Sequence, residues 1–375
     1  MSDTFNGSIA QVNVQFPIET VIEPIGGENY SRALIFMPLS KVQEYLVGAT
    51  DAKAGTLTEL NSSNYGTITG GLLKTWLTPF FTSAQSAVCG VAVYDDTEGA
   101  TSNLLKDVYE KIKYYAYFKF GIADTSSYQS LQVELSNLCA ADTLYSRLWI
   151  GTSDTNVLSK SSALVTALKE SSGSYRIVYN PDASINAALA QLGKSLGSAN
   201  TTGTPVGNSV DMVSFNTISA SGSQDAEGNA TNLSATEKAA LDDQKIGYNT
   251  YVGDGSENVV TEGSLYSNGD SVGAEWVKAY ITYMCKIKTS TLISQMNKFR
   301  NNDTYQAILL ILKDIVKGFV NMGRLDDFTI TAPVFEDLPS SGDTITVPNA
   351  WQADYIDNVR AVTVYGTLYI AQPEK

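Results

Sequence analysis

The feature that most constrains the fold is a repeated alternation of apolar strands and amphipathic helices between residues 87 and 198. Short apolar runs typical of buried strands are followed by longer segments whose apolar side chains recur at helical spacing. The predicted strands are 87–95, 119–124, 146–153 and 174–181, and the predicted helices are 103–118, 128–142, 161–173 and 182–198. Asp182 or Ser184 is the expected cap of the last helix. This order predicts βαβ units and a largely parallel sheet.

Further elements are predicted on either side of this repeat. Residues 32–37 form a short apolar run typical of a buried strand, and 65–84 have apolar side chains at helical spacing. Ser234 and Glu237 stand three residues apart, as in a capping box, and predict the start of a short helix. Two long helices are predicted after it, at about 274–299 and at 303–323.

Strict alternation of apolar and polar side chains marks a segment near each end of the sequence. Residues 8–16 and 361–370 both read as strands, because alternate side chains of a strand point to the same side. The apolar residues on that side are Val12, Val14, Phe16, Val362, Val364, Leu368 and Ile370. A terminal strand with no local partner is an aggregation hazard in a monomer, which raises the question of what pairs with it.

The composition excludes several classes of function. Acidic residues outnumber basic ones by 39 to 25, the formal charge is −14, and no basic cluster of the kind that binds nucleic acids is visible. Histidine is absent, which removes His-based triads, Cys–His dyads and HExxH zinc sites. Charged residues make up only 17% of the chain, a proportion that suits a surface covered by neighbours.

No metal, cofactor or membrane site is predicted. Cys89, Cys139 and Cys285 lie among apolar residues without CxxC spacing, so we expect buried thiols. The glycine-rich loop at 251–264 lacks the lysine of a phosphate-binding loop and does not open a helix, which favours tight turns. We expect no secretion signal in the first residues and no direct membrane insertion, since no apolar run is long enough to span a bilayer.

One polar stripe is predicted on the second long helix. Gln306, Lys313, Lys317, Asn321 and Arg324 follow one another at spacings of seven, four, four and three. The simplest interpretation is the solvated face of an amphipathic helix. In an acidic protein, its three bases could instead form a docking surface for an acidic partner.

Residues 233–296 contain a recognisable order of elements. A short helix and a glycine-containing stretch precede a tryptophan-containing helix, which is followed by another long helix and a terminal strand region. This order resembles the core of the contractile tail sheath proteins of phages and related injection machines, and residues 186–212 resemble the stretch that leads into it. The residues at comparable places are Leu241, Ile246, Asn249, Gly253, Gly263 and Trp276.

The resemblance implies an α/β fold that becomes α+β in the C-terminal half. It implies a mixed, partly parallel sheet with flanking helices, and extended β arms at both ends. The implied units are an N-terminal arm strand at 1–20, an α/β domain at 21–200, a sheath core at 201–350 and a C-terminal arm strand at 351–375. The core would contain the two long helices and a loop-rich segment at 197–234.

By the same resemblance, the chain is a minimal sheath subunit with no enzymatic activity and no cofactor. The two alternating segments would be arms that pair with a neighbour's sheet, and Lys313, Lys317 and Arg324 would dock on the tail tube. Subunits would stack as rings, sixfold by analogy, and contract to drive the tube through the host envelope. The expected partners are further copies and the tube, baseplate and tail terminator proteins of a phage virion assembled in the host cytoplasm.

Two other functions fit parts of the sequence. The chain could be another virion structural protein, such as a tail tube or capsid component, although the βαβ repeat argues against a tube protein. It could also be an α/β enzyme with its site at the carboxyl ends of the parallel strands. No residue pattern in the sequence indicates a reaction for such an enzyme.

Overall fold

Nine strands form the main sheet in this computed structural model, which describes residues 32–45, 53–84, 87–96, 116–119, 126–141, 147–197, 214–215, 218–252, 259–262, 265–295, 302–338 and 351–355. The strands are β1 Arg32–Pro38, β2 Leu57–Leu60, β3 Val88–Tyr94, β4 Ala116–Lys119, β5 Arg147–Thr152, β6 Tyr175–Tyr179, β7 Ser214–Phe215, β8 Ile246–Tyr251 and β9 Val259–Glu262. Their spatial order is β2-β3-β1-β4-β5-β6-β8-β9-β7.

The centre of this sheet is parallel and its edges are antiparallel. Strands β3, β1, β4, β5, β6 and β8 run in one direction. At one edge β2 is antiparallel to β3, and at the other β9 is antiparallel to both β8 and β7. The chain starts in the middle at β1, moves to β3 on one side and then to β4 on the other, as in doubly wound folds. The predicted mixed, partly parallel sheet is confirmed.

Helices cover both faces of the sheet. They are α1 Val42–Tyr45, α2 Leu72–Ser83, α3 Ser126–Ala141, α4 Ala163–Leu168, α5 Ala187–Gly197, α6 Ala235–Asp243, α7 Val272–Gln295 and α8 Asn302–Asn321. Strand side chains alternate between two cores, since Ile35 and Val91 belong to the first and Phe36 and Ala92 to the second. Helices α2, α5, α7 and α8 contribute to the first core, and α3, α4 and α6 to the second.

Strand β4 corrects one prediction from the sequence. The predicted helix at 103–118 disagrees with the structure at its C-terminal end, because Ala116–Lys119 is already a strand. Apolar spacing alone did not reveal this boundary, and β4 is held by pairing with β1 and β5. Residues 103–115 and 120–124 lie outside the described residues.

The starts of two helices test the predicted caps. The capping box of α6 is confirmed, since the Glu237 amide donates to Ser234 Oγ over 3.3 Å and the Ser234 amide donates to Glu237 Oε2 over 2.8 Å. The cap of α5 is Asn186, whose side-chain oxygen accepts from the Leu189 amide at 3.0 Å. Asp182 instead accepts from the Ser184 amide in the preceding turn, so neither predicted residue is the cap.

Helices α2 and α5 approach each other closely at Gly193. A Cβ atom at this position would lie 2.7 Å from both the Cα and the carbonyl oxygen of Phe80. Backbone atoms cannot move aside as a flexible side chain can, so this crossing requires glycine. The contact fixes the spacing of two helices in the first core.

The C-terminal part of the chain forms a helical pair and a small second sheet. Helices α7 and α8 lie close to their predicted positions, and Tyr280 of α7 contacts Phe319 of α8 edge to face, with 5.7 Å between the ring centroids. Gly323 has φ +67° and ends α8, as its amide donates to Val320 O and the next amide, of Arg324, donates to Phe319 O. Two further strands, β10 Leu325–Ile330 and β11 Trp351–Tyr355, pair antiparallel.

The predicted division of the chain near residue 200 remains a prediction. Strands β8, β9 and β7 come from the second predicted unit, yet they extend the sheet of the first. The first core likewise combines residues of both units, including Leu192 and Trp276.

Candidate functional site

The predicted arm residues lie outside the part of the chain that the structure describes. They are Val12, Val14, Phe16, Val362, Val364, Leu368 and Ile370. Their pairing therefore stays a prediction. The structure does describe sheet edges to which such strands could be added.

The sheet of β10 and β11 offers the most open edges. Leu325 pairs with Tyr355 and Ile330 with Trp351, and neither strand has a second neighbour among the described residues. Phe328 and Ile330 contact the first core from one side of the sheet. A two-stranded sheet is at best marginally stable by itself, so added strands would stabilise this one considerably.

Exposed acidic side chains make the β10 edge less prone to unspecific strand pairing. Asp326 and Asp327 are exposed, and the pairing register shifts between Leu325 and Phe328. The Phe328 amide donates to Asp327 Oδ1 at 2.7 Å, which holds the irregular backbone. Charges and bulges on an edge strand discourage unspecific pairing, so this edge is open but selective.

Two of the three predicted docking bases lie together on α8. Lys313 and Lys317 are exposed, are one turn apart, and form no ion pair or hydrogen bond with any residue that the structure describes. Arg324 lies beyond the helix, in the turn that follows Gly323, and is half-buried. The structure therefore brings Lys313 and Lys317 together on one face and places Arg324 on a different element.

The solvent face of α8 also carries an apolar side chain and acids. Leu310 is 59% exposed and precedes Lys313 by three residues, on the same exposed side of the helix. Asp303 and Asp314 are exposed on this side too. The face is therefore mixed, with an exposed leucine one turn before the two lysines, and it is less purely basic than the sequence predicts.

A second cluster, which the sequence did not reveal, lies at the start of α7. We call Arg147, Asp270, Glu275 and Lys278 the α7 junction. Arg147 Nε donates to Glu275 Oε2 at 2.7 Å, and Arg147 Nη2 donates to the same oxygen. Lys278 Nζ donates to Asp270 Oδ2 at 2.8 Å and to Glu275 Oε1 at 3.1 Å. Two acids and two bases thus balance one another.

Burial makes this charge balance important. Glu275 is 2% exposed and Arg147 8% exposed. Burial alone would raise the pKa of Glu275, but the Arg147 guanidinium and the Lys278 ammonium beside it hold that pKa well below its ordinary value of 4.5. The carboxylate is therefore charged at neutral pH, and each partner depends on the others.

The described residues show little that suggests catalysis or metal binding. They contain no group of three or more Cys, Asp or Glu side chains that could hold a metal ion. Burial raises the pKa of the Cys89 thiol, and burial likewise raises that of Cys285 to about 12, against a smaller opposing effect of Lys288. Among the described residues, no helix has the length and apolar character needed to span a bilayer.

Comparison with known proteins identifies the fold. The sequence matches no protein-family model and no curated protein. A chain in the cryo-EM structure of the anti-feeding prophage baseplate, sixfold symmetrised, is similar with a TM-score of 0.62 and 11% identity, over 95% of this chain and 100% of that one. A chain in the cryo-EM structure of an extracellular contractile injection system, the PVC sheath complex in its contracted state, is similar with a TM-score of 0.60 and 10% identity, over 94% and 97%.

These two likenesses establish the class to which the fold belongs. Both cover nearly the whole of each chain, so they concern the complete described architecture rather than one common motif. The predicted resemblance to contractile sheath proteins is confirmed as a resemblance of fold. At 10–11% identity it does not transfer the role of any residue.

Removing the Glu275 carboxylate should destabilise the protein strongly at neutral pH. Glu275→Gln leaves Arg147 buried without its anionic partner, and such a loss typically costs about 3–5 kcal/mol in the free energy of unfolding. Urea unfolding of the wild type and of Glu275→Gln measures this difference in the free energy of unfolding. The control is Asp243→Asn, which breaks the exposed Lys160–Asp243 ion pair and should change the free energy by less than about 1 kcal/mol.

The difference in stability between the wild type and Glu275→Gln should depend on pH. Because the folded-state pKa of Glu275 is lowered, its stabilisation is complete above 4.5 and is lost as the pH falls toward the lowered value. Asp270, whose pKa is raised first by burial and also by Glu275, has the opposite sign, and only the part caused by burial is common to both proteins. The stability difference between wild type and Glu275→Gln should therefore shrink steadily below about pH 4.5. A difference that stays constant down to acidic pH would contradict the charge assignment.

Proposed function

We propose that this chain is a structural subunit of a contractile sheath. The observation that carries the proposal is the similarity of nearly its whole length to a chain of a contracted PVC sheath complex. The subunit would polymerise into stacked rings, sixfold in analogy to the symmetry of the similar baseplate structure. Its contraction would drive an inner tube through the envelope of a host cell.

Strand donation would link the subunits. The alternating segments 8–16 and 361–370 would act as arms, and the β10–β11 sheet of a neighbouring copy would receive them. Support comes from the edges of this sheet, which pair with no other described strand, and from the place of the second arm shortly after β11 in the sequence. A head-to-tail contact of this kind does not close on itself and generates helical assemblies.

The energy for contraction would be stored in the interfaces between subunits. Subunits would move as rigid bodies while the donated strands keep them connected. This mechanism needs no nucleotide and no cofactor. Rigid packing of the kind seen where Gly193 meets Phe80 is consistent with a body that moves as a whole.

Lys313, Lys317 and Arg324 would bind an acidic tube surface. Lys313 and Lys317 are suited to this role because they are exposed and have no ionic partner among the described residues. Leu310, one turn before Lys313, would add an apolar contact on the same face. Baseplate and tail terminator proteins would bind the two ends of the polymer, in a phage-like particle assembled in the host cytoplasm.

One observation favours a second function of the same class. The other similar structure is a baseplate, so this chain could be a short ring-forming component at the end of a tail instead of the repeating sheath subunit. A ring component would form closed rings of limited height. A sheath subunit would form tubes of variable length.

Deleting residues 360–375 should abolish polymerisation while leaving a folded monomer. The deletion removes the C-terminal arm and leaves β11, which ends at Tyr355, in place. Sedimentation measures the polymer, and circular dichroism checks the fold. As a matched pair, Val364→Asp with Leu368→Asp should have the same effect, whereas Thr363→Asp with Thr367→Asp on the opposite side should be milder. Normal tubes from the deletion variant would refute the arm proposal.

Reversing the two α8 lysines should weaken the contact with the tube. Lys313→Glu with Lys317→Glu replaces two positive charges by negative ones, which should repel an acidic surface. Co-expression with the tube protein of the same particle, followed by pelleting, measures the ratio of sheath to tube. Lys288→Glu changes an exposed lysine of α7 and serves as control. An unchanged ratio in the double variant would show that the tube binds elsewhere.

A further inference from the structure

The turn before α7 binds the amino ends of two central strands. The Ser267 amide donates to Tyr175 O at 2.8 Å, and the Tyr175 amide donates to Ser267 Oγ at 3.1 Å. Lys245 Nζ donates to Ser267 O at 2.9 Å, just before β8. Tyr266 contacts Trp149 of β5 edge to face, with 6.1 Å between the ring centroids. The start of α7 is therefore attached to β5, β6 and β8.

The α7 junction adds a charged contact at the same place. Arg147 is the first residue of β5, and Glu275 lies in the first turn of α7, so their ion pair connects the sheet directly to the helix. Lys278 and Asp270 complete the group from α7 and from the preceding turn. Two further charged residues contact this turn, since Lys245 Nζ donates to Ser267 O and Arg176 Nη1 donates to Leu265 O at 3.3 Å.

Helix α7 also contacts α8, which leads into the rest of the C-terminal part. Trp276 stacks on Tyr280 with 5.2 Å between ring centroids, and Tyr280 contacts Phe319 of α8. Helix α8 leads through the turn at Gly323 into β10. A displacement of α8 or of the β10–β11 sheet therefore reaches the main sheet through α7 as well as through the shared first core.

A buried ion pair and an apolar contact respond differently when the two elements that they connect are displaced. Apolar side chains can slide and repack at moderate cost. A buried guanidinium that loses its carboxylate has no comparable alternative, so the pair is either formed or fully broken. Such a contact fixes one register between helix and sheet and opposes intermediate positions.

We propose that the α7 junction couples the C-terminal part of the chain, α7 to β11, to the nine-stranded sheet, so that both parts open and move as one body. Breaking the Arg147–Glu275 pair would lower the stability of both parts together. This role does not depend on the proposed sheath function. In a contracting polymer it would transmit displacement of the β10–β11 sheet to the subunit body.

Native-state hydrogen exchange of the full-length protein at increasing urea tests this proposal, because it reports which segments open together. In the wild type, α7 and the central strands β1 and β3 should exchange through the same opening. In Glu275→Gln, α7, α8, β1 and β3 should all exchange faster than in the wild type by the same factor of more than about tenfold, because their shared opening breaks the pair. Asp243→Asn should leave both regions unchanged.

The outcome distinguishes coupling from a separate opening of the C-terminal part. If Glu275→Gln accelerates exchange in α7 and α8 but not in β1 and β3, or accelerates it in neither region, the proposal is wrong. Arg147→Lys keeps the charge but loses the planar fork of donors, and it serves as the second variant if Glu275→Gln does not fold. For this variant we expect the same uniform acceleration at a smaller factor, and acceleration confined to α7 and α8 would again overturn the proposal.

Discussion

The structure depends on one buried carboxylate, that of Glu275, and on the charges that surround it. Removed from water, this group would be costly unless it were paired. Arg147 reaches it from β5 and Lys278 from α7, so the cost is offset only when helix and sheet have their native positions. The attachment of the C-terminal helices to the α/β sheet is thus specified by charge as well as by apolar packing. The same place would transmit movement in a contractile assembly.

In the rest of the molecule, packing follows from the alternation of strand side chains between the two faces of the main sheet. Each central strand directs successive side chains to opposite faces, and each face is covered by its own set of helices. The result is a body with few adjustable contacts, as the approach of Gly193 to Phe80 illustrates. The β10–β11 sheet has the contrary character, since it is small, open at both edges among the described residues and attached through α8. A rigid body with an incomplete sheet is a suitable design for a subunit that its neighbours complete.

Local patterns predicted most of the elements, and long-range contacts explain the failures. The capping box was found from two residues, Ser234 and Glu237, because its hydrogen bonds are local. Strand β4 was missed because its pairing partners, not its own spacing, decide where it begins. The Arg147–Glu275 pair could not be predicted, since the two residues are 128 positions apart and neither stands in a distinctive motif. A glutamate in the first turn of an apolar helix was the only signal available. The exposure of Leu310 could have been inferred, because its spacing of three residues from Lys313 places it on the polar side of α8.

The most direct test of the central claim is electron microscopy of the purified full-length protein over a range of concentrations. The account predicts hollow tubes of uniform width and variable length, built from stacked rings, that grow in number with concentration. A monodisperse monomer at every concentration, or closed rings that never stack, would contradict a sheath subunit that polymerises by strand donation.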